Sequence, residues 1–204
     1  MPASDTSLDQ VVARRLAVEI DGLPTVDLAR DIIAIRFTET ITQCKLLEVS
    51  LNNWGTVNGD IGYKYSGGAQ DLLNIGTGVR LYCDDLTLAV GKIAILAMSF
   101  GKGPPAITFS VDANRPRQQP REVVFTISRG AGLMEFYPVL RKTASSGQPR
   151  IQATGIANGS PFLRAGTKLN IAGLGRAFDG KYSVTESTHT FDNTGYRTSF
   201  ACER

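Results

Sequence analysis

Apolar residues in this chain recur mainly at every second position, the spacing of strands with one buried face. Leu16, Val18 and Ile20 alternate with Ala17 and Glu19, and Asp21-Gly22 then supplies a turn, which predicts a first strand. Residues 27–35 lack a clear period and read as a connecting turn. Residues 35–42 and 45–51 form one long strand or two, with Leu47, Val49 and Leu51 on one face, ended by Asn52-Asn53-Trp54-Gly55. Residues 55–68 are rich in Gly, Asn, Tyr and Ser and read as a loop. A short helical turn at 69–73 leads to strands at 79–83 and 86–90 around a tight reversal at Asp84-Asp85, with a bulge or bend at Gly91. Residues 93–100 are an almost unbroken apolar run, the pattern of a strand buried on both faces. Proline lacks the donor that a sheet ladder needs, so Pro104-Pro105 mark a hairpin loop before Ile107, Phe109 and Val111 alternate again.

Residues 112–121 are polar, contain two prolines and have no period, which is the composition of a linker. Beyond them Val123, Phe125 and Ile127 alternate, residues 128–132 turn, and a strand at 133–141 is pushed toward an edge or a bend by Pro138. A polar loop at 143–149, a strand at 151–155 and a loop at 157–160 follow. Strands at 168–172 and 181–191, and the alternation of Tyr196, Thr198, Phe200 and Cys202, are separated by turns at Gly173-Leu174-Gly175, Phe178-Asp179-Gly180 and 192–195. No long amphipathic helix and no short repeat interrupts this pattern, and the two halves are meanders of similar length. The expectation is a mainly β protein of two related barrels in tandem: a flexible leader over 1–13, one barrel over 14–111, a linker over 112–122 and a second barrel over 123–204.

Composition narrows the function classes. A chain of 204 residues has room for two small domains, and 42% apolar against 20% charged residues excludes wholesale disorder. A net charge of +3, scattered along the chain, gives no electrostatic case for a nucleic-acid or membrane partner. No window reaches the roughly 18 apolar residues of a membrane-spanning helix. Cys44, Cys83 and Cys202 are odd in number and lack CxxC spacing, so they read as buried thiols in a reducing compartment rather than as a bridge or metal site. The first ten residues lack the basic and apolar regions of a signal peptide, which points to synthesis and first folding in a cytoplasm.

Candidate chemistry is sparse. His189 lies in a strand between Thr188 and Thr190, and a lone histidine needs a converging nucleophile and carboxylate to act as a base. Without a second histidine or paired cysteines, zinc is not expected. Gly173-Leu174-Gly175 starts a GxGxxG-like run, but Phe178 stands where the third glycine belongs. Asp84 and Asp85 are adjacent in an extended segment, so their side chains diverge. Arg115, Arg117 and Arg121 make a small basic cluster that reads as a solvated linker. Trp54, Tyr63 and Tyr65 are a candidate sugar-stacking platform, with packing or subunit contact as the other reading. The expectation is no catalytic residue, no cofactor and no metal.

Four groups of residues near the C-terminus occur in a distinctive order: Ala165-Gly166 with Leu169, Ile171 and Gly173; Phe178, Gly180, Tyr182, Val184 and Thr185; Thr188, His189 and Phe191; and Gly195, Tyr196, Thr198 and Phe200. This order resembles the end of the phage late control gene D proteins, contractile-tail baseplate hubs that are VgrG N-terminal-like. Residues 16–22, 36–53, 72–82 and 91–100 resemble the family's first half more loosely. The resemblance implies a shortened member, with the linker in place of a large insertion and two tail-tube-like barrels per chain. It implies a structural, non-enzymatic role as a homotrimeric ring of pseudo-sixfold symmetry that joins the tail tube to the central spike. Tape-measure protein and other baseplate parts are the further partners implied, without membrane or specific nucleic-acid binding. The location implied is a virion tail baseplate or an injection-system particle, assembled in the bacterial cytoplasm. Gly166, Gly173, Phe178, Gly180, Tyr182, Val184, Thr185, His189, Gly195, Tyr196, Thr198 and Phe200 are then structural residues. The alternative is a carbohydrate-binding β module on Trp54, Tyr63 and Tyr65, and an enzyme built on His189 ranks third.

Overall fold

A computed structural model describes residues 16–24, 26–65, 72–114, 124–129, 132–142 and 149–204. The leader over 1–13, the arginines at 115, 117 and 121, and most of the turns expected at 69–73 and 143–149 lie outside the described residues. The elements in chain order are β1 (Leu16–Ile20), β2 (Leu23–Pro24), helix α1 (Val26–Asp31), β3 (Ile32–Thr40), β4 (Cys44–Asn52), β5 (Trp54–Val57) and β6 (Asp60–Tyr63). They continue as β7 (Gly78–Cys83), β8 (Leu86–Ser99), β9 (Ala106–Asn114), β10 (Val124–Arg129) and β11 (Gly132–Lys142). The chain ends with β12 (Pro149–Asn158), β13 (Lys168–Ala172), β14 (Gly180–Asp192) and β15 (Gly195–Glu203). The protein is mainly β, as its alternation predicts.

Three local expectations are corrected. Residues 27–35 are the helix α1 and the start of β3; Leu28 buries itself in the first core, so the segment follows tertiary burial rather than a visible period. Residues 55–68 are not simply a loop, because β5 and β6 form a hairpin about Asn58-Gly59, whose φ values of 53° and 94° are those of a tight two-residue turn. Asp31 ties that hairpin down: it accepts from Lys64 Nζ at 2.8 Å and from the Tyr65 hydroxyl at 2.7 Å. Residues 93–100 are not buried on both faces. Ile93 and Leu96 belong to the core, whereas Ile95, Met98 and Phe100 are exposed, because an apolar run does not say whether its second cover lies in the same chain.

The two halves repeat one strand order. The first runs β3-β4-β9-β8-β7-β1 and the second β11-β12-β15-β14-β13-β10. Irregularities recur at matching places: β8 shifts register between Ile93 and Ile95, and β14 between Val184 and Glu186. A second pair matches too, between Ile32 and Ala34 in β3 and between Leu133 and Glu135 in β11. The turn before β7 is repeated before β13. Gly76 N donates to Ile93 O at 2.8 Å and Ile93 N to Thr77 O at 2.9 Å; Gly166 N donates to Val184 O at 2.7 Å and Val184 N to Thr167 O at 3.0 Å.

The halves differ in how they close. In the second, β10 pairs with both β13 and β11, and β13 with β14, so six strands close on themselves. In the first, β1 does not pair with β3 among the described residues, and the chain inserts β2 and α1 between them. Moreover β10 runs parallel to β13, whereas β1 runs antiparallel to β7. Each half has its own apolar cluster, around Phe37, Leu47, Leu81 and Phe109 in one and around Leu169, Tyr182, Val184 and Phe200 in the other.

Close packing in the second core depends on an absent side chain. Gly155 in β12 lies opposite Phe200 in β15, and a Cβ there would stand 2.5 Å from the ring. Gly155→Ala is expected to lower unfolding stability by about 1–3 kcal/mol in a denaturant titration, the usual range for an overpacked core. Adding Phe200→Leu should recover part of that loss. Strict additivity of the two losses would show that the ring contact is not the cause.

Candidate assembly interface

A single sheet joins the halves through β14. One edge of β14 follows β15, and the other is shared. Residues from Gly180 to Ser183 pair with β13; past the irregularity at Thr185, Glu186 to Phe191 pair antiparallel with β3, from Glu186 opposite Thr40 to Phe191 opposite Ile35. Thr38 and Thr188 meet across this seam with their hydroxyl oxygens 3.0 Å apart, and Lys45 Nζ donates to Glu186 at 2.6 Å at its rim.

Beneath the seam lies a buried ion pair. Period two places Glu39 on the same face as Ile35 and Phe37, and all three are fully buried. Arg164, in the turn before β13, donates from Nε to Glu39 Oε1 at 2.7 Å and from a terminal nitrogen to Oε2 at 2.5 Å. Its guanidinium also donates to Leu88 O at 2.9 Å and lies over the Phe37 ring at 5.5 Å. Ala165 N and the Ser187 hydroxyl donate to the same carboxylate at 3.1 and 3.3 Å. Such a pair is stable in a dry site only when its remaining lone pairs are also satisfied, and here they are. Sequence reasoning did not single out either residue. The available signal was a glutamate on the apolar face of a strand, which demands a cationic partner; the partner, 125 positions away, was not visible.

His189 is fully buried next to this pair. Its Nδ1 lies 2.8 Å from the Tyr196 hydroxyl and 3.3 Å from that of Thr198, and its ring stacks on Phe37 with centroids 5.7 Å apart. Burial, then the nearby Arg164 charge, push its pKa down to about 3, so the imidazole is neutral at ordinary pH. No substrate reaches a ring without exposed surface.

The remaining motif residues line the second core and its turns. Gly166, Gly173, Gly180 and Gly195 all have positive φ. Phe178 packs on the core and its carbonyl accepts from the Tyr182 hydroxyl at 2.7 Å; Val184 and Phe200 are core residues. Thr185 bonds from its hydroxyl to Ala201 O at 3.2 Å, and Thr198 accepts from Ser160 N at 3.2 Å.

The other candidates do not converge. Tyr65 is buried on Asp31, away from any platform, while Trp54 and Tyr63 meet edge to face at 71° rather than presenting parallel faces. Asp84 and Asp85 form an exposed corner. Cys44, Cys83 and Cys202 are free thiols, and burial pushes Cys202 up to about 12 and Cys44 up to about 11. Among the described residues there is no group of three potential metal ligands, and no helix is long and apolar enough to cross a membrane.

Glu39→Ala should leave an unpaired guanidinium in a largely dry site and cost about 3–5 kcal/mol in chemical denaturation. Glu39→Leu combined with Arg164→Asn should cost far less than the sum of the single changes. For His189, the unfolded chain takes up a proton below its ordinary pKa of 6.5, whereas the folded chain does not until about 3. Stability is therefore full above pH 6.5 and falls as pH drops toward 3. Between pH 6.5 and 5 the wild type should lose about 2 kcal/mol more than His189→Gln, read from denaturant midpoints at each pH.

No family model matches the chain, and no curated protein matches it in sequence. Solved structures do match. A tail protein from Neisseria meningitidis MC58 superposes with a TM-score of 0.61 at 7% identity, over 94% of this chain and 97% of that one. The 43 kDa tail protein of prophage MuSo2 from Shewanella oneidensis superposes with a TM-score of 0.57 at 6% identity, over 93% of this chain and 96% of that one. At such identities the likeness is one of fold: this chain has the fold of these tail proteins.

Proposed function

We propose that the chain is a structural hub of a contractile phage tail or a related injection system. Three copies form a ring of pseudo-sixfold symmetry between the tail tube above and the central spike below. The observation that carries this reading is the repeated six-strand order joined edge to edge inside one chain. Two like units per chain give six in a trimer, which lets a threefold partner and a sixfold partner share one ring. The fold match to tail proteins supports the same role.

In this reading the chain divides into units over 14–111 and 123–204, and the linker over 112–122 replaces an insertion that larger hubs carry. β9 extends through Asn114, so the first unit reaches slightly into the linker. The motif residues around Gly166, Tyr182, His189 and Phe200 shape the second unit, and no residue carries catalysis. Tape-measure protein and neighbouring baseplate parts are further partners, and the particle is a virion baseplate or an injection apparatus assembled in the bacterial cytoplasm.

Sedimentation of the full chain with its spike and tube proteins tests this. A complex with three copies of the chain per spike is the expected result. A chain that stays monomeric with both partners and instead binds glycans on an array would favour the carbohydrate-binding module.

A further inference from the structure

The seam inside the chain is a template for a seam between chains. β8 in the first half corresponds to β14 in the second, and β11 in the second corresponds to β3 in the first. Inside the chain, the later part of β14 pairs with β3. Their counterparts have no such neighbour among the described residues. From Ile95 to Ser99, β8 is paired only with β9, and from Glu135 to Lys142, β11 is paired only with β12. Both free edges carry apolar side chains in solvent: Ile95 and Phe100 are 60% and 65% exposed, and Tyr137 and Leu140 are 61% and 64% exposed. Unpaired edges of this kind are ready templates for another strand.

We propose that the free edge of β8 in one copy pairs antiparallel with the free edge of β11 in the next, in the register that β14 and β3 use internally. The matching irregularities in each strand set the alignment. Ile95 takes the place of Glu186, and Glu135 takes the place of Ala34. Transfer of the internal register sets Ile95 opposite Arg141, Ala97 opposite Val139, and Ser99 opposite Tyr137.

The new seam has different chemistry. Leu140 stands at the position of Glu39, Asn74 at that of Arg164, and Ile75 at that of Ala165, by the same alignment of strands and turns. Ile75 and Leu140 are each 64% exposed in the single chain. Across the seam Leu140 takes the carboxylate's place beside Ile75, and the uncharged Asn74 takes the guanidinium's. An apolar contact of this kind suits a joint that forms after each chain has folded, since neither partner leaves a buried charge behind when apart. Each copy has one β8 edge and one β11 edge, so the joint is head-to-tail, and it closes as a ring or continues as a filament. The pairing rests on the internal repeat; only its closure after three copies rests on the hub reading.

A disulfide between copies tests the register. Thr38 and Thr188, the internal counterparts of Val139 and Ala97, touch across the existing seam at 3.0 Å. A full chain with Cys44→Ser, Ala97→Cys and Val139→Cys is oxidised at about millimolar concentration, comparable with the effective concentration of tethered partners. Linked multimers on a non-reducing gel are expected, in at least roughly tenfold excess over the pair Ala97→Cys with Met134→Cys, whose five-residue offset of about 17 Å is beyond disulfide reach. Thr38→Cys with Thr188→Cys serves as the positive control, since it should close within one chain. Linked trimers that close support both the seam and the ring. A linked ladder without closure supports the seam and overturns the ring. A trimer that fails to link at Ala97 and Val139 while the control closes overturns the seam and leaves the ring. Monomers in which only the control closes overturn both.

Discussion

A carboxylate taken out of water and a guanidinium largely buried against it fix how the two halves of this protein meet. Glu39 on β3 and Arg164 before β13 satisfy one another in two hydrogen bonds, and Ala165, Ser187 and Leu88 supply or accept the rest. Apolar surface alone would tolerate a range of docking angles, because the hydrophobic effect has no direction. A bidentate pair does not, since any displacement leaves a charge dry and unpartnered. The seam between β3 and β14 thereby acquires one geometry, and the stacking of His189 on Phe37 follows from it.

The same strand order is used twice with different chemistry laid over it. The second half closes through β10, whereas in the first β1 pairs with β2 and, among the described residues, not with β3. The reversed direction of β10 relative to β1 is the largest departure between the halves. In the closed second half β10 lies between β13 and β11, and neither of its edges takes part in the seam. The functional reading therefore rests on edges and faces rather than on a pocket, and the buried neutral His189 belongs to the framework.

Much of the fold was legible because alternation is a local property. Strands such as β1, β4, β9 and β15 follow directly from residues spaced by two, and the division into two similar meanders was visible from their lengths. The hairpin at Asn58-Gly59 was also written in the sequence, in one of its strongest turn signals, but the polar composition around it concealed the strands. α1 was not legible, since six residues are too few to display a helical period. Tyr65 was misplaced because its partner, Asp31, is distant in the chain. The candidate site was the least legible part. Glu39 announced itself only as a charge on an apolar face, and the free edges of β8 and β11 emerge only when the neighbours of every strand are known.

The single unpaired residue at Thr185 divides β14 into two working lengths, one belonging to β13 and one to β3. In a strand, a shift by one residue exchanges its two faces. Because the same strand serves both halves, that shift would turn Val184 out of one core and His189 out from Phe37 at once. Sharing β14 thus couples the registers of the two halves: one slip along the whole strand takes side chains out of both cores.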